Sequence, residues 1–218
     1  MKKLSIEKMK SRFDNCRECN LYRGRKRIVY GDGNFDARFM FVGEAPGREE
    51  DAAGIPFVGR AGKLLRAIAF DEIGIEPADV FITNVVMCRP RNNRDPKNIE
   101  ARACFRRLLN QIYAIKPRAI MTFGRIASNW LINATIEPRE MESIGKMIAA
   151  ANENWDGAQW IAFHRQREVV LKAPVVPNWH PSYLDRQRHN EDLFDAFKRQ
   201  FQFLGKNNEG NESKKTKS

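Results

Sequence analysis

Arg38-Phe-Met-Phe-Val-Gly-Glu-Ala-Pro-Gly47 is an apolar run that breaks into a glycine and proline turn. A short continuous apolar run suits a strand buried on both faces. A tight turn directly after it stands where open α/β sheets place their ligands, at the carboxyl end of a strand. Residues 80–83 and 119–123 are similar runs, and another ends shortly before His180. The stretches between them have helical period. Leu64, Leu65 and Ile68 share one side of residues 62–72, and Ala101, Cys104, Leu108 and Ile112 share a stripe of residues 99–113. Strand and helix in alternation predict an α/β fold: a three-layer α/β/α sandwich with a central, mostly parallel sheet. Leu193, Phe197, Phe201 and Leu204, with Asn190 or Glu191 near the start, predict a last helix that docks its apolar face on that core.

With 218 residues, 42% of them hydrophobic and 30% charged, the chain suits one soluble domain better than a disordered or membrane protein. No apolar run approaches the roughly 18 residues of a membrane span, and the first residues lack a signal peptide's apolar stretch, so a cytoplasmic monomer is expected. The expected domain is residues 1–204, with 136–172 an insertion of unknown shape. Residues 205–218 hold no apolar side chain to bury and are expected to be a disordered basic tail. The net charge is +11, and removing that tail, at +2, leaves +9 on the body. A body that basic attracts polyanions, nucleic acid first among them.

The four cysteines are Cys16, Cys19, Cys88 and Cys104. A C-x2-C pair with two more downstream reads as a metal or cluster site in a cytoplasmic protein, where disulfides are rare. Spacing alone does not choose between a tetrahedral zinc and a [4Fe-4S] cluster. Taken singly, Phe57 fits a core position, Asn84 a turn and His180 a structural site.

Together the motifs say more. The chain resembles the family 4, iron–sulfur uracil-DNA glycosylases of the uracil-DNA glycosylase superfamily. The resemblance rests on Cys16-x2-Cys19, Gly43-Glu-Ala-Pro-Gly47, Gly54-Ile-Pro-Phe-Val-Gly-Arg-Ala-Gly62, Ile82-Thr-Asn-Val-Val with Cys88-Arg-Pro, Cys104 and His180-Pro-Ser-Tyr-Leu184, in the family's order. It implies a [4Fe-4S] cluster on Cys16, Cys19, Cys88 and Cys104. It also implies a monofunctional DNA glycosylase of base-excision repair that hydrolyses the N-glycosidic bond of flipped-out uracil in DNA.

By the same resemblance, Gly43, Glu44, Ala45, Phe57, Asn84 and His180 would form the uracil pocket. Phe57 would stack on the base, and Asn84 would read its pairing edge. His180 would stabilise the departing base, and Glu44 would stabilise the sugar cation or orient water. Leu184 would wedge into the gap left by the base, and Arg186 and Arg188 would hold phosphates. The chain departs from the family at Arg48, where an acid is common, at Asp185, where an apolar residue is usual, and in the length of 136–172. A competing reading is a catalytically silent DNA-binding or polymerase-associated protein of a phage or plasmid, or one with a replication or repair partner. Retention of Glu44, Phe57, Asn84 and His180 argues against silence. A third, covalent trapping of DNA through a histidine, is disfavoured because residues 89–96 contain none.

Overall fold

The computed structural model describes residues 11–132, 143–153, 160–164, 167–171, 173 and 175–205. The three apolar runs form β2 (Phe39–Gly43), β3 (Val80–Asn84) and β4 (Ala119–Phe123), every residue of them buried. A two-residue strand, β1 (Asp32–Gly33), pairs antiparallel with β3, and β7 (Val175–Asn178) pairs parallel with β4. The sheet order is β1-β3-β2-β4-β7, parallel except for the short edge strand. Gly43 lies opposite Asn84, and Phe123 lies opposite Asn178. The carboxyl ends of four strands therefore finish at one edge.

Side chains alternate across the sheet and divide the core in two. Met40, Val42, Phe81, Ile120 and Val175 pack on one face against α3 (Asn98–Ile115) and α4 (Arg125–Ile132), through Ala101, Phe105, Leu108, Ile126 and Trp130. Phe39, Phe41, Ile82, Met121 and Val176 point the other way. They meet Leu65 of α2 (Arg60–Arg66), Leu184 of α6 (Pro181–Arg186) and Phe197, Phe201 and Leu204 of α7 (Glu191–Gly205). Helices thus cover both faces, as an all-buried parallel sheet requires.

Local chemistry sets where the helices begin and end. In α3, Glu100 takes the backbone N–H of Lys97 at 2.8 Å, and Lys116 closes the helix in left-handed backbone just before Pro117. Asn190 caps α7 by accepting from Leu193 N–H at 3.0 Å. The helix expected over 62–72 is α-helical only as far as Arg66, and Ala67–Glu72 continues it with π-type turns.

The remaining helix near the sheet edge is α1 (Arg48–Ala53), and the insertion contributes α5 (Ile144–Glu153). Within it, β5 (Trp160–His164) and β6 (Arg167–Leu171) pair antiparallel as a sheet of their own. Met147 of α5 is buried, and Asn129 of α4 donates to its sulfur at 3.5 Å. Of the expected tail, 205–218, Gly205 belongs instead to the end of α7, and the rest lies outside the described residues. No described helix is long and apolar enough to cross a membrane.

Phe197 is fully buried against Phe123 and Phe201, and its carbonyl accepts from Asn178 Nδ2 at 3.1 Å. Phe197→Ala should cost about 3–5 kcal/mol, read from the midpoint of urea unfolding.

Candidate active site

Gly43 and Asn84 sit side by side at the ends of β2 and β3, and the glycine is a spatial necessity. A Cβ on Gly43 would lie 2.5 Å from both Asn84 Oδ1 and Phe57 Cζ. The missing side chain is the room into which those two groups converge. Phe57 reaches it from the α1–α2 loop in left-handed backbone, φ 53°, a conformation that costs a bulky residue energy unless its surroundings impose it.

Several groups impose it. Arg66 donates to the carbonyls of Phe57 and Pro56 at 3.2 and 3.3 Å. A Cβ on Gly62 would fall 2.2 Å from the Phe57 carbonyl, so α2 can close on the loop only with glycine there. Glu50 of α1 ties the loop to the turn after β2. One carboxylate oxygen takes Gly47 N–H at 3.0 Å, and the other takes Val58 and Gly59 N–H at 3.0 and 2.7 Å. Nothing in the sequence reading marked Glu50. The available signal was its place three residues after Gly47, the spacing of a capping box.

These groups border a cleft of about 590 Å³ that Glu44, Ala45, Phe57, Asn84 and His180 line together. Phe57 is 6% exposed, its ring 6.4 Å from that of His180 and edge-on to Phe123. His180 caps α6, and its Nδ1 accepts Ser182 N–H at 3.2 Å. A nitrogen that accepts a backbone N–H carries no proton, so the neutral ring bears its hydrogen on Nε2. Burial pushes His180 down to about 4, with the Arg186 charge adding to the effect. Glu44 takes Ile126 N–H at 3.0 Å at the amino end of α4, yet burial pushes its carboxyl up to about 7.

Residues 90 and 93–96 close another side of the cleft, with Asn93 in left-handed backbone and its Oδ1 accepting from Arg89 Nε at 2.7 Å. Arg94 is held by a two-pronged pair with Glu100, at 2.8 and 2.6 Å. In sequence this loop stands out by its arginines and its lack of histidine. That it folds over the cleft depends on the long-range position of α3.

The wedge assigned to Leu184 does not hold. Its side chain is 0% exposed within the core under α7. Ser182, Asp185 and Arg186 line the cleft, so helical geometry turns Leu184 to the opposite side. Its neighbour Tyr183 is 41% exposed. Arg186 lines the cleft, whereas Arg188 lies outside the lining and pairs with Asp185. Asp185 also pairs with Arg60, so this departure from the family pattern fastens α6 to the start of α2. Those two arginines hold the Asp185 carboxyl below its usual range, Arg188 more strongly.

The four cysteines, all free thiols, border a second hollow with Arg25, Ile28, Val86, Met87 and Arg107. Burial pushes Cys19 and Cys88 upward and Cys104 up to about 12. Two guanidinium groups answer this, Arg107 donating to Cys16 Sγ at 2.8 Å and Arg25 to Cys88 Sγ at 3.5 Å. Among the described residues no three His, Cys, Asp or Glu side chains are grouped closely enough for a single metal ion.

The family model of the uracil DNA glycosylase superfamily matches residues 30–202. A type-4 uracil-DNA glycosylase of Saccharolobus solfataricus is 48% identical over 167 residues, which cover 77% of this chain and 71% of that protein. Its counterpart in Archaeoglobus fulgidus is 45% identical over 88% of this chain and 89% of that one. That of Thermotoga maritima is 39% identical over 85% and 86%. The chain belongs to the uracil DNA glycosylase superfamily and, within it, to the type-4 uracil-DNA glycosylases.

If Glu50 joins the two loops, Glu50→Ala should speed hydrogen exchange at the Val58 and Gly59 amides by about 10-fold or more. Amides of β2 should keep their protection. Uniform loosening of both would mean a general loss of stability instead.

Proposed function

We propose that the chain is a monofunctional uracil-DNA glycosylase that reads a flipped uracil between Phe57, Asn84 and His180 and hydrolyses its bond to the sugar. The observation that carries this is the convergence of these three side chains with Glu44 on one cleft, at the in-register ends of parallel strands. An enzyme acting on a base within DNA must take it out of the stack and read it in a pocket. Phe57 offers its ring face. The Asn84 carbonyl accepts from N3–H while its amide donates to O4, and cytosine presents the reverse polarity at both atoms.

As the glycosidic bond stretches, negative charge gathers on the base. His180 Nε2–H donates to O2 as a neutral ring, a donor aimed at charge that grows only in the transition state. Pro46 has no N–H and that of Gly47 is held by Glu50, which leaves the amides of Glu44 and Ala45 to assist. Ionised Glu44 stabilises the cationic sugar and orients the attacking water. No lysine lines the cleft among the described residues, which favours hydrolysis over a lyase reaction through a Schiff base. Arg60 and Arg186, on the cleft lining, and the basic body favour DNA phosphates.

The donor set around the second hollow fits a [4Fe-4S] cluster: four thiols, with two guanidinium donors to sulfur. Bound on Cys16, Cys19, Cys88 and Cys104, such a cluster would supply a redox-active crosslink between the amino-terminal arm and the body. None of the steps above passes through it.

Two experiments test the mechanism. His180→Ala should slow single-turnover uracil excision roughly 10²- to 10³-fold with little change in DNA binding. Asn84→Asp should lose uracil excision and gain weak action on cytosine, since a carboxylate accepts from the N4 amine. A folded variant of either kind with wild-type excision would sink the pocket assignment.

The second experiment reads pH. With Glu44 near 7 and His180 near 4, the excision rate should climb as Glu44 ionises between roughly pH 5.5 and 8, then level without a falling limb from His180. Glu44→Gln should lower and flatten this profile. Because the folded carboxyl sits above its usual 4.5, the stability it lends below pH 4.5 is lost as pH rises to about 7. Glu44→Gln should therefore raise stability at pH 8 by about 2–3 kcal/mol.

A further inference from the structure

Arg107 is a buried cation in a place where a cation is expensive. It lies on α3 at 4% exposure, its guanidinium 4.6 Å from the Phe13 ring centroid. Its hydrogen bonds run to the Ala103 carbonyl at 3.0 Å and to Cys16 Sγ at 2.8 Å, while its buried Nε has no partner. The carboxylate paired with it among the described residues, Glu18 at 3.0 Å, is 60% exposed and shares its charge with water. A thiol is a weak acceptor, and a buried guanidinium gains little from one. An anionic sulfur in a low-dielectric hollow is a different partner, because charge-assisted bonds there are short and strong. Arg25 approaches from the arm and reaches Cys88 at the longer 3.5 Å.

We infer that Arg107 is the main counter-charge of the four-cysteine site, setting the electron affinity and oxidative resilience of the cluster its sulfurs carry. This rests on the cluster reading above. An electron enters an already anionic centre less readily once the nearest cation is removed, and leaves it more readily. Arg107 touches neither the cleft nor the base, so its effect belongs to the sulfur site.

The test compares wild type with Arg107→Met, Arg107→Lys and Arg25→Met, purified without oxygen and assayed for iron and sulfide. Midpoint potential is measured by spectroelectrochemistry, and loss of the band near roughly 400 nm is followed in air. A wild type with neither iron nor sulfide would end the cluster reading itself, separately from the role of Arg107. Arg107→Met should move the midpoint to more negative potential and bleach several-fold faster. Arg107→Lys should stay nearer wild type, and Arg25→Met should shift less than Arg107→Met. A methionine variant that cannot retain iron while the lysine variant loads fully would also support the inference. It would be overturned by a fully loaded Arg107→Met with unchanged midpoint and bleaching. Equal failure of the lysine and methionine variants to hold iron would overturn it too, since packing rather than charge would then be the requirement.

Discussion

The site depends on one empty volume: the space where Gly43 has no side chain. Parallel register brings Gly43 beside Asn84, and the ring of Phe57 fills the gap from the opposite side. Any Cβ there would strike both. The strand ends, the left-handed backbone of Phe57 and the closure of α2 over Gly62 are parts of one steric solution, each workable only if the others hold. Glu50 locks that solution by binding three backbone amides from the two loops concerned.

Around this frame, burial gives two titratable groups unlike tendencies. His180 is kept neutral, and the backbone amide at its Nδ1 selects the tautomer with a proton on the other nitrogen. Glu44 is made reluctant to ionise near neutrality although a helix amide donates to it. For Glu44 this opposes what water would choose at neutral pH, whereas for His180 it deepens the preference water already gives. The aromatic layer beneath, where Phe123 and Phe201 each meet both Phe41 and Phe197, supplies the stability against which that opposition is set.

Much of this was legible in the residues. Continuous apolar runs marked the three central strands because each is buried on both faces, and the stripes of α3 and α7 followed helical period. Phe57, Asn84 and His180 were each ambiguous alone and were picked out by the resemblance their motifs carry together; the fold gathers the loop of Phe57 with the strand ends of the other two. What failed was anything decided by a distant element. Leu184 stands next to exposed Tyr183 in sequence, and only the docking of α7 determines which of the two is covered. Glu50 looked like one acid among Glu49, Glu50 and Asp51, and two of its three amide partners, Val58 and Gly59, appear only when the chain returns after α1. The family-atypical Asp185 was legible as a departure but not as the tie between Arg60 and Arg188.

The neighbours of the cysteines bear on how the chain is made. Cys16 and Cys19 are synthesised before the groups that receive their segment. Asp51 accepts Lys26 N–H at 2.9 Å, Met87 accepts Val29 N–H at 2.8 Å, and Arg107 donates to Cys16. A nascent chain therefore exposes two thiols until α3 has been made to shelter them. Vectorial synthesis thus lets this segment find its place only after later ones are made, an interval in which its thiols are open to oxidation.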